Sequence, residues 1–445
     1  MPAETKTVGP AVPAETKIAG PAVPAETWPK PGRNQERWPA WPALLNPMFL
    51  LSRLAYRMAT EVSPRLAMKA AHLWAFKGTR AVRAYKRRLK RGELFPPFLF
   101  LALTNACNLR CRGCWIESGG PVYNLSEEDI DALIAAGKEQ GSYFYTLLGG
   151  EPMMYPHLWD VIRRHPDCYF QIITNGMFLD QDNVERIREA GNVTPLVSID
   201  GWEKSNDERR GEGVFDRAVL GLGRLKQQKI LFGIATTVTG RNLNEVLTDQ
   251  YVRFFIERGA MYLWYYVYRP VGANPSPEFC VERDQMITVR KRLLRLRRKH
   301  PIILIDTYWN AAGEAVCPAA LGLGFHIGPQ GSIEPCPPLS FACQTIRDND
   351  RDLFATINQS RFLRGFQEFV NQRTKGCVIL EHPQELVEYF KSMSARDTSG
   401  RDALAELEAS SPRTSHHLPG EETPENSLLY RILKKQLFFG MGGYG

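Results

Sequence analysis

The sequence predicts an α/β protein whose main body is an open barrel of six strand–helix units, followed by a small cysteine-bearing domain, with less regular segments at both ends. Three observations carry this. From Pro97 to about residue 300, strand-like apolar runs alternate with helix-like amphipathic runs, the pattern of parallel βα units. Six strand runs suit a partial (βα)6 TIM barrel better than a closed eight-fold one. Glycine-rich or polar motifs also stand at one strand end after another, where barrel-type sheets keep their chemistry.

At 445 residues and 44% hydrophobic content, the chain has room for a sizeable core. Residues 1–45 hold an eleven-residue repeat, Val-Pro-Ala-Glu-Thr-Lys-Ile-Ala-Gly-Pro-Ala, seen nearly twice before Trp28 breaks it. Pro, Ala and Thr at that density bury too little apolar surface to offset ordering entropy, so disorder is expected. Residues 46–96 read as helices in which Phe49, Leu50, Leu54, Met58, Leu73, Phe76, Val82 and Tyr85 recur among basic residues. Between Val62 and Gly92 there are ten Lys or Arg and no Asp or Glu, so much of the formal +8 charge gathers there. This lead-in is either a face for anionic lipid, nucleic acid or an acidic peptide, or a set of basic helices packed on the main domain.

The barrel is expected over residues 97–310. Its strands are Phe98–Leu103, Tyr143–Leu148, Tyr169–Thr174, Leu196–Gly201, Phe232–Val238 and Met261–Tyr268. Ser126-Glu-Glu-Asp opens a helix with a capping pattern. Further helices are expected over His157–Arg164, Asn183–Ala190, Phe215–Lys229 and Asn244–Arg258. Residues 311–385 form the second domain. Residues 386–445 read as a flexible tail, polar from Ser392 to Pro424, that ends in a short amphipathic helix from Ser427. The longest apolar run, Phe95 to Leu103, holds two prolines and is too short to span a bilayer. No secretory leader is read, and nine cysteines with three of them clustered point to a reducing interior, so a cytoplasmic protein is expected.

The first strand runs directly into Cys107-Asn-Leu-Arg-Cys111-Arg-Gly-Cys114, which puts three thiols in eight residues. Three soft ligands with no near fourth suit an iron–sulfur cluster or zinc with an open position. The C-x3-C-x2-C loop after a first strand resembles the signature of the radical S-adenosylmethionine (SAM) enzymes. That resemblance implies that Cys107, Cys111 and Cys114 are the catalytic centre, holding a [4Fe–4S] cluster whose unique iron binds the methionine moiety of SAM. It gives Gly149-Gly150-Glu151-Pro152, at the end of the second strand, the methionine amino group. It assigns ribose to Ser198 and Asp200, and the surround of adenine and ribose to Thr174, Asn175 and Thr236–Val238. Arg210, in an Asp-x-x-Arg-Gly run, is a candidate carboxylate partner. The position before the third cysteine is usually aromatic in the family, and here it is Gly113 with Trp115 just beyond.

A second cysteine group follows. Cys317, thirteen residues, Gly331, four residues and Cys336 form a pattern that resembles the opening of SPASM and twitch auxiliary-cluster domains. The glycine would turn a hairpin tightly enough to bring Cys336 back beside Cys317. The resemblance implies one auxiliary [4Fe–4S] cluster on Cys317, Cys336, Cys343 and Cys377, whereas Cys168 and Cys280 read as structural. It also implies an external one-electron reductant of flavodoxin or ferredoxin type. The expected substrate is a peptide or protein. The alternatives are a lipid or small metabolite met at a membrane surface through residues 46–92, and a non-catalytic iron–sulfur or zinc protein binding nucleic acid through its basic helices, Arg290–Lys299 included.

Overall fold

A run with no polar break, such as Leu99-Phe-Leu-Ala-Leu-Thr104, makes a strand covered on both faces. In the computed structural model, which describes residues 47–116, 119–272 and 275–436, that strand (β1) lies inside a nine-stranded sheet. The repeat segment 1–45 and the last residues of the helix expected from Ser427 lie outside the described residues. On one side of β1 stand, in order and all parallel, β2 (Phe144–Gly149), β3 (Tyr169–Thr174), β4 (Val193–Ser198), β5 (Gly233–Val238), β6 (Tyr262–Val267) and β7 (Ile303–Ile305). On its other side stand β8 (His326–Ile327), parallel to β1, and β9 (Ile333–Glu334), antiparallel to β8. The six expected strands are the body of the sheet, and three short ones extend it at its two edges. One apolar core continues from the strands into the outer helices, with Leu101, Leu147, Ile172, Leu196 and Ile234 within it.

Local chemistry sets most element ends. Ser126 Oγ accepts from the Asp129 amide at 3.1 Å and opens helix Glu127–Glu139, as its motif predicts. Two expectations shift. The fourth strand begins at Val193 and ends at Ser198, not over Leu196–Gly201, because it includes Pro195. Pairing with β5 covers only Leu196–Ser198, so the missing proline N–H falls where β4 meets β3 alone. The helix expected over Asn244–Arg258 is two pieces, Leu243–Val246 and Asp249–Glu257, because Thr248 Oγ1 accepts from the Tyr251 amide at 3.2 Å and restarts it.

The basic lead-in forms helices Pro47–Glu61, Pro64–Lys69 and Lys77–Lys90, the last two joined by a π-type stretch, Ala70–Phe76. Several of its cations cap helix C-termini of the barrel, where carbonyls lack partners. Arg65 reaches the carbonyls of Arg188 and Glu189, Lys69 that of Ala190, and Arg88 that of Gln140. Lys77 lies 3.9 Å from the centroid of Tyr143 and donates to the Asp167 carbonyl. The packed reading therefore accounts for these charges, while Met68, Phe76, Arg80 and Arg83 stay on the outer face.

Residues 386–427, expected as a flexible tail, carry regular structure, while the short helix expected from Ser427 is present. Arg396–Asp397 (β11) pairs antiparallel with Phe341–Ala342 (β10), and Ala403–Glu408 is a helix. Helix Leu428–Gln436 docks beside edge strand β7, where Tyr430 Oη accepts from the Leu304 amide at 2.8 Å. Buried Lys434 donates to Asp306 at 3.1 Å, and Asp306 also pairs with buried Arg297, which holds Glu425 at 2.7 Å. The polar composition that reads as solvent-facing is spent on internal ion pairs. Arg290 and Arg297, part of the stretch expected to contact nucleic acid, are both buried.

Candidate active site

Close backbone approach builds the first part of the site. The amides of Gly150 and Glu151 donate to the carbonyls of Thr104 and Ala106, each at 2.8 Å, which lays the end of β2 against the start of the cysteine loop. A Cβ at Gly149 or Gly150 would collide with those carbonyl oxygens, so only glycine fits there. Glu151, fully buried, ties this turn to β3: its carboxylate accepts from the Met153 amide at 3.1 Å and the Asn175 amide at 2.7 Å. Burial pushes its carboxyl up to about 7. Asn175 in turn donates to Asn108 Oδ1 at 2.8 Å and lies 4.0 Å from Cys107 Sγ.

At the end of β4 a buried charge cluster faces the thiols. Asp200 pairs with Arg209 and, at 2.7 Å, with Arg210, and it accepts from the Thr237 amide at 2.7 Å. Burial alone would raise its carboxyl, but Arg210 and then Arg209 hold it down at about 2. Burial likewise opposes the charge on Arg210, which Asp200 and the thiols Cys111 and Cys114 hold well above its usual range. Burial pushes the Cys107 thiol up to about 11 and raises that of Cys114. Iron bound to these thiols would displace their protons, so cluster binding would release protons.

A cavity of about 350 Å³ joins these parts. Of the residues singled out from the sequence, Cys107, Cys111, Cys114, Gly149, Gly150, Thr174, Asn175, Ser198, Arg210, Cys317, Cys336 and Cys377 all line it. The hairpin inferred from Gly331 is present, with φ +84° at that residue, and it brings Cys336 to the same wall as Cys317. Arg269 donates from Nε to Cys377 Sγ at 2.9 Å.

Glu151, Pro152, Asp200 and Cys343 are not among the lining residues. Glu151 and Asp200 have their oxygens taken by amides and arginines, so they position the walls instead of contacting what lies within. Ser198 and Asp200 both fall within the strand expected over Leu196–Gly201, but the strand stops at Ser198 and Asp200 belongs to a turn fixed by Asn206 and Asn242. Cys343 follows β10 and points its Sγ to the Met393 carbonyl at 3.4 Å. Pairing of β10 with β11, a strand hidden in the polar tail, turns it away. Cys168 is buried, and Cys280 packs with Tyr268 and Phe279.

Sequence reasoning missed Tyr268, Arg209, Arg269 and His416, which also line the cavity. Tyr268 sits where a side chain at position 113 would go, since a Cβ on Gly113 would collide with its ring. Arg269 follows strand β6, so the strand-end rule could have flagged it. His416 had no signal, lying in the polar tail. The wall holds buried polar atoms without a hydrogen-bond partner, Arg209 Nε and Tyr266 Oη, which fits a polar ligand such as SAM. Three thiols with arginine charge beside them fit an iron–sulfur cluster, whereas no three His, Cys, Asp or Glu side chains among the described residues converge to hold a single ion.

A parallel open sheet with a three-thiol loop after its first strand defines an iron–sulfur enzyme of barrel type. The sequence profile of the radical SAM superfamily matches residues 101–250. An AdoMet-dependent heme synthase of Methanosarcina barkeri is 33% identical over 317 residues, covering 64% of this chain and 89% of that protein. The chain belongs to the radical SAM superfamily. A mycofactocin maturase of Mycobacterium tuberculosis is 28% identical over 267 residues, 56% of this chain and 66% of the relative. The structure of Streptococcus suis SuiB bound to its precursor peptide SuiA shares the fold at TM-score 0.53 and 18% identity, covering 67% of this chain and 72% of that one. The family's cofactors are SAM and a [4Fe–4S] cluster, and SPASM-type relatives add auxiliary clusters. Among the described residues no helix is long and apolar enough to cross a membrane.

Proposed function

We propose that this enzyme cleaves SAM reductively at the Cys107–Cys114 loop and takes hydrogen from a peptide held between that loop and a second cluster on Cys317, Cys336 and Cys377. The observation that supports this is that one cavity is lined by both thiol sets. Held by Cys107, Cys111 and Cys114, a [4Fe–4S] cluster would supply the electron for reductive cleavage of SAM and so the radical chemistry of hydrogen abstraction. The chain binds and orients. Gly149 and Gly150 would offer backbone to the methionine ammonium, and Ser198 and Thr237, which line the cavity from adjacent strands, would offer hydroxyls to the ribose. Arg210 gives only its Nε hydrogen to Asp200, which leaves two terminal nitrogens for the methionine carboxylate. Phe98, Phe100, Trp264 and Tyr266 exclude water from the radical.

The peptide reading draws on the mycofactocin maturase and on SuiB with its peptide. A second reading, an iron porphyrin, is favoured by the heme synthase relative, which this chain matches over most of its length, and by the aromatic cavity wall. In either case an external flavodoxin- or ferredoxin-type protein is the electron donor, and the exposed Met68, Phe76, Arg80 and Arg83 are the residues for any contact with an anionic membrane. Anaerobic reconstitution followed by reduction should yield 5′-deoxyadenosine from SAM. Zinc in place of iron, with no deoxyadenosine, would overturn the radical reading. Titration with an iron porphyrin separates the substrates: a shifted Soret band with tight binding would replace the peptide by the porphyrin.

A further inference from the structure

The second thiol set is one ligand short of four. Cys317, Cys336 and Cys377 line the cavity, and Cys343 is turned to the Met393 carbonyl. The side chain that joins the three is His416. It lines the same cavity and is 3% exposed. Its segment is strapped to two of the cysteines: Ser415 Oγ accepts from the Cys377 amide at 3.2 Å, and His416 Nε2 lies 3.1 Å from the carbonyl of Val316, the residue before Cys317. A carbonyl only accepts, so Nε2 carries the ring hydrogen and Nδ1 keeps its lone pair. Nδ1 has no hydrogen-bond partner among the described residues. Metal-ligating imidazoles are held in this way, their far N–H given to a backbone carbonyl that fixes tautomer and ring orientation. The rings of Tyr308 and Trp309, with centroids 4.9 and 5.9 Å away, hold the plane of His416 in place.

We propose that His416, through Nδ1, is the fourth protein ligand of the auxiliary cluster, making it a Cys3His centre with Cys317, Cys336 and Cys377. This rests on the reading that the second thiol set holds a cluster. A neutral imidazole in place of a thiolate leaves the cluster one charge unit more positive, which raises its reduction potential above that of an all-cysteine site.

The test uses the full chain, reconstituted anaerobically with iron and sulfide and reduced with dithionite in the absence of SAM. Iron is counted, and pulsed EPR is recorded with natural and 15N-labelled histidine. The expected result is iron for two clusters and a nitrogen coupling on one of them that changes with the histidine label. That coupling disappears in His416→Gln and persists in Cys343→Ala. Two clusters with no histidine coupling, or a coupling that survives His416→Gln, overturns the ligation and leaves the cluster reading standing. Iron for one cluster in the unmodified protein overturns both. Because the labelling needs no variant, the result does not depend on how His416→Gln folds.

Discussion

Gly113 and Tyr268 show how one residue can stand in for another. The family's aromatic before the third cysteine is missing, and the ring that occupies its space comes from the end of β6. Tyr268→Ala should weaken SAM binding about ten-fold, the scale of one lost aromatic contact, with both clusters still loaded, as equilibrium binding to the reconstituted enzyme would show. Glu151 makes a pH prediction. Its folded-state carboxyl is raised to about 7, so its contribution to stability is complete below the unfolded value of 4.5 and is lost as pH rises through 7. Urea unfolding of the cluster-free chain should lose about 3 kcal/mol from this group between pH 4.5 and 7.5, and Glu151→Gln should flatten that slope. Arg269→Met removes a cation and a hydrogen bond from Cys377, so the auxiliary potential should move to a more negative value in redox titration. The sequence made the thiols and glycines legible because their chemistry is tied to spacing. It hid Arg269 and His416, whose partners lie 108 and 100 residues away in the chain.

At the scale of elements, strands were readable where burial on two faces leaves few polar residues, as in β1 and β6. The fourth strand was misplaced because Pro195 reads as a strand breaker, and only the one-sided pairing there makes it harmless. The tail was misread for a related reason: composition cannot distinguish a charge that meets water from one that meets a buried partner. Lys434 is fully buried between Asp306 and the Trp309 carbonyl. Lys434→Ala leaves Asp306 short of a partner and should cost about 3–5 kcal/mol in denaturant unfolding, the range for breaking a buried pair. Lys434→Arg should recover part of that. Cys343→Ala, by contrast, should leave both iron content and deoxyadenosine yield unchanged, while Cys336→Ala should keep the first cluster and impair turnover.

For the whole molecule, the lead-in, the barrel, the cysteine hairpin and the tail meet around one sheet. Their order was legible, since motifs fall at successive strand ends. Their interlocking was not, because it depends on ladders between segments far apart in sequence, such as β1 with β8 and β10 with β11. The first of these ladders has a consequence for electron flow. Phe100 and Leu101 pair with His326 and Ile327, so the strand that launches the Cys107 loop is bonded along its free edge to the hairpin that carries Cys336. With both thiol sets loaded as proposed, the gap an electron would tunnel between them would be spanned by the rungs of this ladder. The expectation is that their spacing, and the electron-transfer rate it permits, would be the same with and without substrate, which rapid-freeze EPR of the reduced enzyme would check.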